Sequence, residues 1–372
     1  MRIVYVTTEY PALTANYGGI AVVYKNEVES LRLRGHDVEV ILISSYLLKD
    51  AKIPPYVSLF HFPVTGKLKG LRGRIKLTFY INSRYDRNTI IVNADFGGLL
   101  PFRIKSKKIV QLHGSGTLKL FLQWKNAKML LYLLEYKNIK NSDKIRAVSQ
   151  AVLNESKNVF PLIKKIPAEI IHNGIHGFNE TRIEHMKSPQ ITMNVIFIGK
   201  LSELKGVLFL GAIINGIHEV LPEMEFIIIG HDEIKGGQSR REELIKSIRL
   251  IQRVSLYERV DNNEMGQFLN KSNVLILPSK TEALPMVVIE AFSCHVPVVA
   301  FNVGGLSELI DDGINGYLIQ PFDINTFVHK VIAILSEETE TIRMPEKAYL
   351  KFVSEFRLET CINKLEAFYS QK

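Results

Sequence analysis

Glu282 and Glu290, with seven residues between them, are the side chains best spaced to do chemistry together. The apolar run Val274–Leu277 ahead of them reads as a buried parallel strand. It breaks at Pro278-Ser279, and a helical pattern begins near Pro285, whose missing N–H has no partner in a first helical turn anyway. Glu282 then sits in the loop before the helix, and Glu290 about a turn and a half inside it. The backbone N–H groups of Ala283, Leu284, Met286 and Val287 are expected to face the same space, a ready site for phosphate. An acceptor-rich side chain beside a phosphate cradle, with a second one deeper in, suits a ligand both anionic and rich in hydroxyls. A nucleotide sugar fits that description. On spacing alone, a strand–turn–helix unit carrying two solvated glutamates is an equal reading.

Lys200 and Lys205 straddle a second strand-to-helix turn, Gly199-Lys200-Leu201-Ser202-Glu203-Leu204-Lys205-Gly206, after the strand Val195–Ile198. Both ammonium groups are expected over one concave spot, each adding roughly 1.5–3 kcal/mol through a hydrogen bond to an ionised oxygen. Two lysines in a basic protein carry little weight by themselves. Gly230 ends another strand at Phe226–Gly230. In the first half, Lys107–Leu112 is a strand ending at His113-Gly114, which sets His113 at the mouth of a ligand crevice. A lone histidine is as readily structural. Gly18-Gly19 stand at a helix start, where a backbone can approach a ligand closely, although tight turns also use such pairs. Lys67, Lys69, Arg72, Arg74 and Lys76 put five cations into ten residues, with Gly66, Gly70 and Gly73 among them. A flexible basic loop near an acceptor site or an anionic lipid surface is expected there. No aromatic residues interleave to stack on bases, so nucleic acid is not expected.

These residues need a scaffold of alternating strands and helices. Ile3–Thr7, a helix over Ile20–Arg34 ended by Gly35, and the strand Val38–Ile43 begin a doubly wound parallel sheet. A long helix over Leu118–Ile139 carries the only tryptophan, Trp124, and Ser149 is suited to cap the helix after it. Residues 178–189 are polar and aperiodic, so the linker falls there, with a first domain over 1–178 and a second over 179–355. With 372 residues, 46% of them apolar, the chain can fill two cores. No G-x-G-x-x-G or Walker A sequence appears, against a dinucleotide dehydrogenase or P-loop enzyme. No stretch approaches the roughly 18 apolar residues that span a bilayer. Met1–Thr7 turns polar too soon for a secretory signal, and Cys294 and Cys361 imply no disulfide framework or metal site. A cytoplasmic protein is expected, with or without peripheral attachment to the inner face of the membrane. The net charge of +9 divides into +14 for residues 1–180 and −5 for the rest. A basic first half suits an anionic partner, and equally a surface tuned for solubility.

The stretch from Leu277 to Leu309 resembles the E-x7-E signature of retaining GT-B glycosyltransferases, in particular glycosyltransferase family 4. The likeness continues through Pro297-Val298-Val299, Gly304-Gly305, Glu308-Leu309-Ile310 and Asp312-Gly313-Ile314-Asn315-Gly316. Val148-Ser149-Gln150 and Ile170–Gly174 also resemble family elements. The departures are Ala283 for a usual Gly or Ser, Lys200 for a usual Arg, His176 for a usual acid, and Tyr257 for a usual glycine. The resemblance implies an α/β protein of GT-B fold, two Rossmann-like doubly wound domains facing a central cleft. A last helix, about 356–372, would pack back on the first domain. It implies His113 steadying the reacting centre, Lys200 and Lys205 gripping the donor diphosphate, Glu282 orienting the sugar, and Glu290 holding the ribose. Gly304-Gly305 would add phosphate donors, and Arg253–Val260 would lie against the base. No cofactor and no metal are implied: the donor is a co-substrate, a UDP-sugar first and a GDP-sugar second. The acceptor is a hydroxyl of a glycan, lipid-linked or other anionic molecule. A nucleotide-sugar epimerase of the same fold would yield the epimer without acceptor. A non-catalytic nucleotide-sugar binding protein would never consume a donor.

Overall fold

The computed structural model describes residues 1–14, 18–43, 48, 51–61, 67–95, 97–114, 128–178 and 194–371. The chain divides into two compact units, Met1–Gly174 with Leu358–Lys372, and Ile175–Arg357. Apart from Phe178, the linker expected over 178–189 lies outside the described residues, as do Gly66, Trp124 and the first part of its expected helix.

In the first unit the strands are β1 (Arg2–Thr7), β2 (Asp37–Leu42), β3 (Val57–Leu59), β4 (Ile90–Ala94), β5 (Lys107–Leu112), β6 (Lys144–Ala147) and β7 (Ala168–Ile170). They form a parallel sheet in the order β3-β2-β1-β4-β5-β6-β7. Helices cover both faces, so the strands are near-continuous apolar runs; Ile3, Val4, Tyr5 and Val6 are all fully buried. The helices of the chain's first half are α1 (Gly19–Leu33), α2 (Lys67–Arg84), α3 (Lys128–Lys140) and α4 (Gln150–Val159). Ser149 caps α4, its side chain accepting from the Val152 N–H.

The basic stretch expected to be a flexible loop is instead the first half of α2. Burial explains the difference. Leu77 and Ile81 are fully buried in the core with Val4 and Ile91, and that apolar face outweighs the helix cost of Gly70 and Gly73. Arg74 is buried too, donating to the carbonyls of Gly70, Gly97 and Gly98, so it holds the loop after β4 and leaves no charge at the surface. Arg72 and Lys76 remain exposed. The side chains of Lys67 and Lys69 lie outside what is described.

The second unit repeats the plan with β8 (Asn194–Ile198), β9 (Glu225–Ile229), β12 (Val254–Tyr257), β13 (Val274–Leu277), β14 (Val298–Phe301) and β15 (Gly316–Ile319). Their order, β12-β9-β8-β13-β14-β15, is again wholly parallel. A hairpin, β10 (Ile234–Lys235) and β11 (Gln238–Ser239), follows β9. The helices are α5 (Val207–Val220), α6 (Arg240–Ser247), α7 (Asn262–Asn270), α8 (Met286–Ser293), α9 (Leu306–Leu309), α10 (Ile324–Leu335) and α11 (Met344–Lys351). A short π-helical turn, Phe352–Phe356, precedes α12 (Leu358–Ser370), which belongs to the first unit. With every strand parallel, the order in which strands are added reverses at one place in each sheet, between β1 and β4 and between β8 and β13. Ligand crevices open there, beyond the carboxyl ends of the strands.

Candidate active site

The two segments singled out in the second unit, after β8 and after β13, flank that reversal point. Their contact depends on Gly206, which adopts φ +76°; a Cβ there would fall 1.8 Å from the Pro278 carbonyl oxygen. This approach brings Lys205 onto the turn before α8. Its Nζ donates to both oxygens of Glu282, at 2.7 and 2.9 Å. Ser279 Oγ donates to Glu282 Oε1 at 2.7 Å, and Glu282 is only 8% exposed. Three donated hydrogen bonds thus hold the carboxylate in one orientation. Sequence reading missed Ser279, although a hydroxyl three residues before an acid at a helix approach is a recognisable pairing.

Lys200 does not join this group. Its Nζ donates to Glu233 at 2.7 Å, and its side chain is 55% exposed. The two lysines expected over one spot are therefore held by different carboxylates. Lys200 lies beyond the β8 strand end, where the turn pairs Leu201 with Asp232 and so faces Glu233. Gly199 donates its N–H to Ile229, and Gly230 to Tyr257, so both glycines tie neighbouring strand ends together. A Cβ on Gly230 would meet the Gly199 carbonyl at 1.8 Å.

Pro285 is the residue before α8, with ψ 114°, and Met286 is the first helical one. The N–H groups of Met286 and Val287 open the helix, where none has an intrahelical acceptor. Leu284 is buried; Ala283, Met286, Val287 and Glu290 are partly open, and the last three lie on one face of α8 at helical spacing. Burial raises the Glu290 carboxyl to about 7. It meets no hydrogen-bond partner among the described residues. Gly305 acts otherwise than expected. The Gly305 N–H donates to the Glu282 carbonyl at 3.1 Å, so it anchors the turn and is not available to phosphate.

In the first unit, a small pocket at the β1–β4 reversal is lined by Thr7, Thr8, Glu9, Ile20, Ala21 and Leu99. Glu9 accepts the Gly18 N–H at 2.7 Å, which withdraws that donor from a ligand; Gly18 and Gly19 are exposed at the start of α1. His113 follows β5 and is 9% exposed, its ring edge-on to Tyr24 and its Nε2 3.1 Å from Gln111 Oε1. Burial and the Arg146 charge push its imidazole down to about 3. Among the described residues, no three His, Cys, Asp or Glu side chains come together as a metal site, and no helix is long and apolar enough to cross a membrane.

Two parallel α/β units with strand-end sites at their reversal points define a GT-B architecture, and relatives agree. Residues 17–176 match the family described as Glycosyltransferase Family 4, and residues 180–351 match Glycosyl transferases group 1. The chain belongs to these GT-B glycosyltransferases of the family 4 type. It is 25% identical to an uncharacterised glycosyltransferase of Methanocaldococcus jannaschii, over 100% of this chain and 98% of the relative. A putative teichuronic acid biosynthesis glycosyltransferase of Bacillus subtilis is 23% identical over 94% of this chain and 92% of its own. Among solved structures, Anabaena HepE in complex with UDP superposes with a TM-score of 0.76 at 18% identity, covering 100% of both chains.

Proposed function

We propose that this glycosyltransferase is a retaining, metal-independent hexosyltransferase that takes its sugar from a nucleotide diphosphate, a UDP-sugar before a GDP-sugar. The Lys205–Glu282–Ser279 cluster beside the α8 N-terminus carries the reading. In transfer, the bond from the anomeric carbon to the diphosphate breaks and negative charge grows on the leaving oxygen. Lys205 and the N–H groups of Leu284, Met286 and Val287 offset that charge, and Lys200 joins them by leaving Glu233. Glu282 accepts hydrogen bonds from sugar hydroxyls, and Glu290 takes the ribose hydroxyls it now lacks partners for. Neutral His113 steadies the sugar.

The acceptor hydroxyl forms the new bond on the face the phosphate leaves, and its proton passes to the departing phosphate. A carboxylate pinned by Lys205 and Ser279, as Glu282 is, makes a weak nucleophile, which favours this route over a covalent intermediate. Support for UDP comes from HepE, solved with UDP. Among the relatives, one of Escherichia coli is named as a galactosyltransferase acting on a GlcNAc-diphosphoundecaprenol. A lipid-linked or otherwise anionic acceptor fits the exposed face of α2, where Arg72 and Lys76 flank Ile75 and Phe79. Such a protein works in the cytoplasm, at the inner face of the membrane. The test is Glu282→Ala with donor turnover followed across UDP- and GDP-sugars. Loss of a preorganised contact should cost about a hundredfold or more; activity within about threefold of wild type would refute the assignment.

A further inference from the structure

Behind His113 lies a buried polar group that the transfer chemistry does not itself use. Glu27 of α1 and Arg146 of β6 are 3% and 1% exposed and form a direct ion pair. Arg146 also donates to the Ile171 carbonyl at 3.0 Å and to Asn173 Oδ1 at 3.1 Å. So paired, Glu27 is a carboxylate, which can only accept hydrogen bonds. Tyr5 O–H donates to it at 2.9 Å, and Gln111 Nε2 at 3.4 Å.

The Glu27 carboxylate and the Tyr369 hydroxyl, which also meets this amide, decide which way Gln111 faces. Its NH2 end turns to the carboxylate, and its oxygen is left 3.1 Å from His113 Nε2. A carbonyl oxygen can only accept, so Nε2 carries the hydrogen. The ring is neutral, and a neutral imidazole protonated at Nε2 has a lone pair at Nδ1. No described residue donates to that nitrogen.

We infer that Gln111, oriented by the Glu27–Arg146 pair, is a positioning residue that locks His113 in the Nε2–H tautomer, so that Nδ1 accepts a hydrogen bond from a hydroxyl of the sugar. His113 is then neither a proton donor at Nδ1 nor a cation. The inference rests on the transfer reaction proposed above for the use of Nδ1, but the tautomer itself does not depend on it.

Nitrogen-15 NMR of histidine-labelled full-length protein reads the tautomer without any substrate, with the His113 signals assigned by their loss in His113→Asn. Wild type should show hydrogen on Nε2 and a bare Nδ1. Gln111→Leu should lose that pattern and lower kcat about tenfold or more, while affinity for the nucleoside diphosphate stays within about threefold. Gln111→Glu combined with Glu27→Gln moves the anion by one place, keeps a donor–acceptor pair between the two positions and an acceptor facing Nε2, and should restore the tautomer. Hydrogen on Nδ1 in wild type, or an unchanged pattern in Gln111→Leu, overturns the inference. Should Gln111→Leu fail to fold, the wild-type spectrum and that of the double variant decide it. If the tautomer is as inferred but no nucleotide sugar is turned over, the transfer reading fails alone.

Discussion

Glu290 and Glu282 show how one residue type acquires two characters from its surroundings. Glu282 accepts three hydrogen bonds from two donors, Lys205 and Ser279, and faces the lysine's charge. Glu290 has burial without compensation, and desolvation alone raises its carboxyl from an ordinary 4.5 to about 7. The folded protein therefore holds a proton there that the unfolded chain has already lost. Stability falls as pH rises from 4.5 through about 7, and the penalty is fully present above that value. Its size is roughly 1–3 kcal/mol. Glu290→Gln should remove this slope, raising the melting temperature near pH 8 and changing it little near about pH 5. Ribose hydroxyls donating to the anion would make donor affinity rise over the same interval in wild type only. Melting curves and nucleotide titrations at several pH values check both, and a pH-independent difference between the two proteins would sink the account. The pair Glu282 and Glu290 was legible from spacing. The partners Ser279, Glu233 and Gln111 were not, because each becomes a neighbour only through a turn or a side-chain orientation.

At the scale of elements, the site is made by turns pressed against turns. Gly304 adopts φ +55°, and a Cβ there would fall 1.8 Å from the Glu282 carbonyl oxygen. Gly304→Ala must therefore displace the turn that carries Glu282 as well as strain the backbone, which alone costs about 1–2 kcal/mol. Turnover should fall by about tenfold or more. Gly313 is the control: it has φ +75° with open space around its missing Cβ. Gly313→Ala should lower the melting temperature and leave turnover within about twofold. Equal activity in the two variants would show that the Glu282 turn tolerates movement. The contrast with α2 is instructive. Its glycines and charges, taken locally, read as a mobile loop; the tertiary core around Leu77 and Ile81 made it a helix and drew Arg74 inside.

For the whole molecule, the +14 charge of residues 1–180 is the feature a partner would meet first. Part of it is internal. Arg74, Lys108, Lys144 and Arg146 are buried, and Lys108 is pushed down to about 7 by desolvation while donating to the Leu100 and Asn138 carbonyls. The external remainder includes Arg72 and Lys76 on α2, beside Phe79, which is 72% exposed. Basic residues at an anionic lipid surface contribute about 1 kcal/mol each. Arg72→Glu with Lys76→Glu should weaken binding to phosphatidylglycerol-containing vesicles about tenfold or more and leave turnover of an uncharged soluble acceptor unchanged. Vesicle co-sedimentation at about 0.1 M salt measures this. Undiminished binding would assign the charge to solubility.

The linear chain determined the class by itself. Strand-length apolar runs alternating with helical patterns can be buried only as parallel sheets with helices on both faces, and the spacing of Glu282 and Glu290 is fixed by the covalent chain. Tertiary structure decided which groups face one another. Lys205 rather than Lys200 reached Glu282, Gly305 turned from ligand donor to turn anchor, and Gln111 came to face His113. Those pairings join residues brought close by crossovers and by missing side chains at glycine. Their hydrogen bonds depend on burial and direction, which no local pattern of residues records.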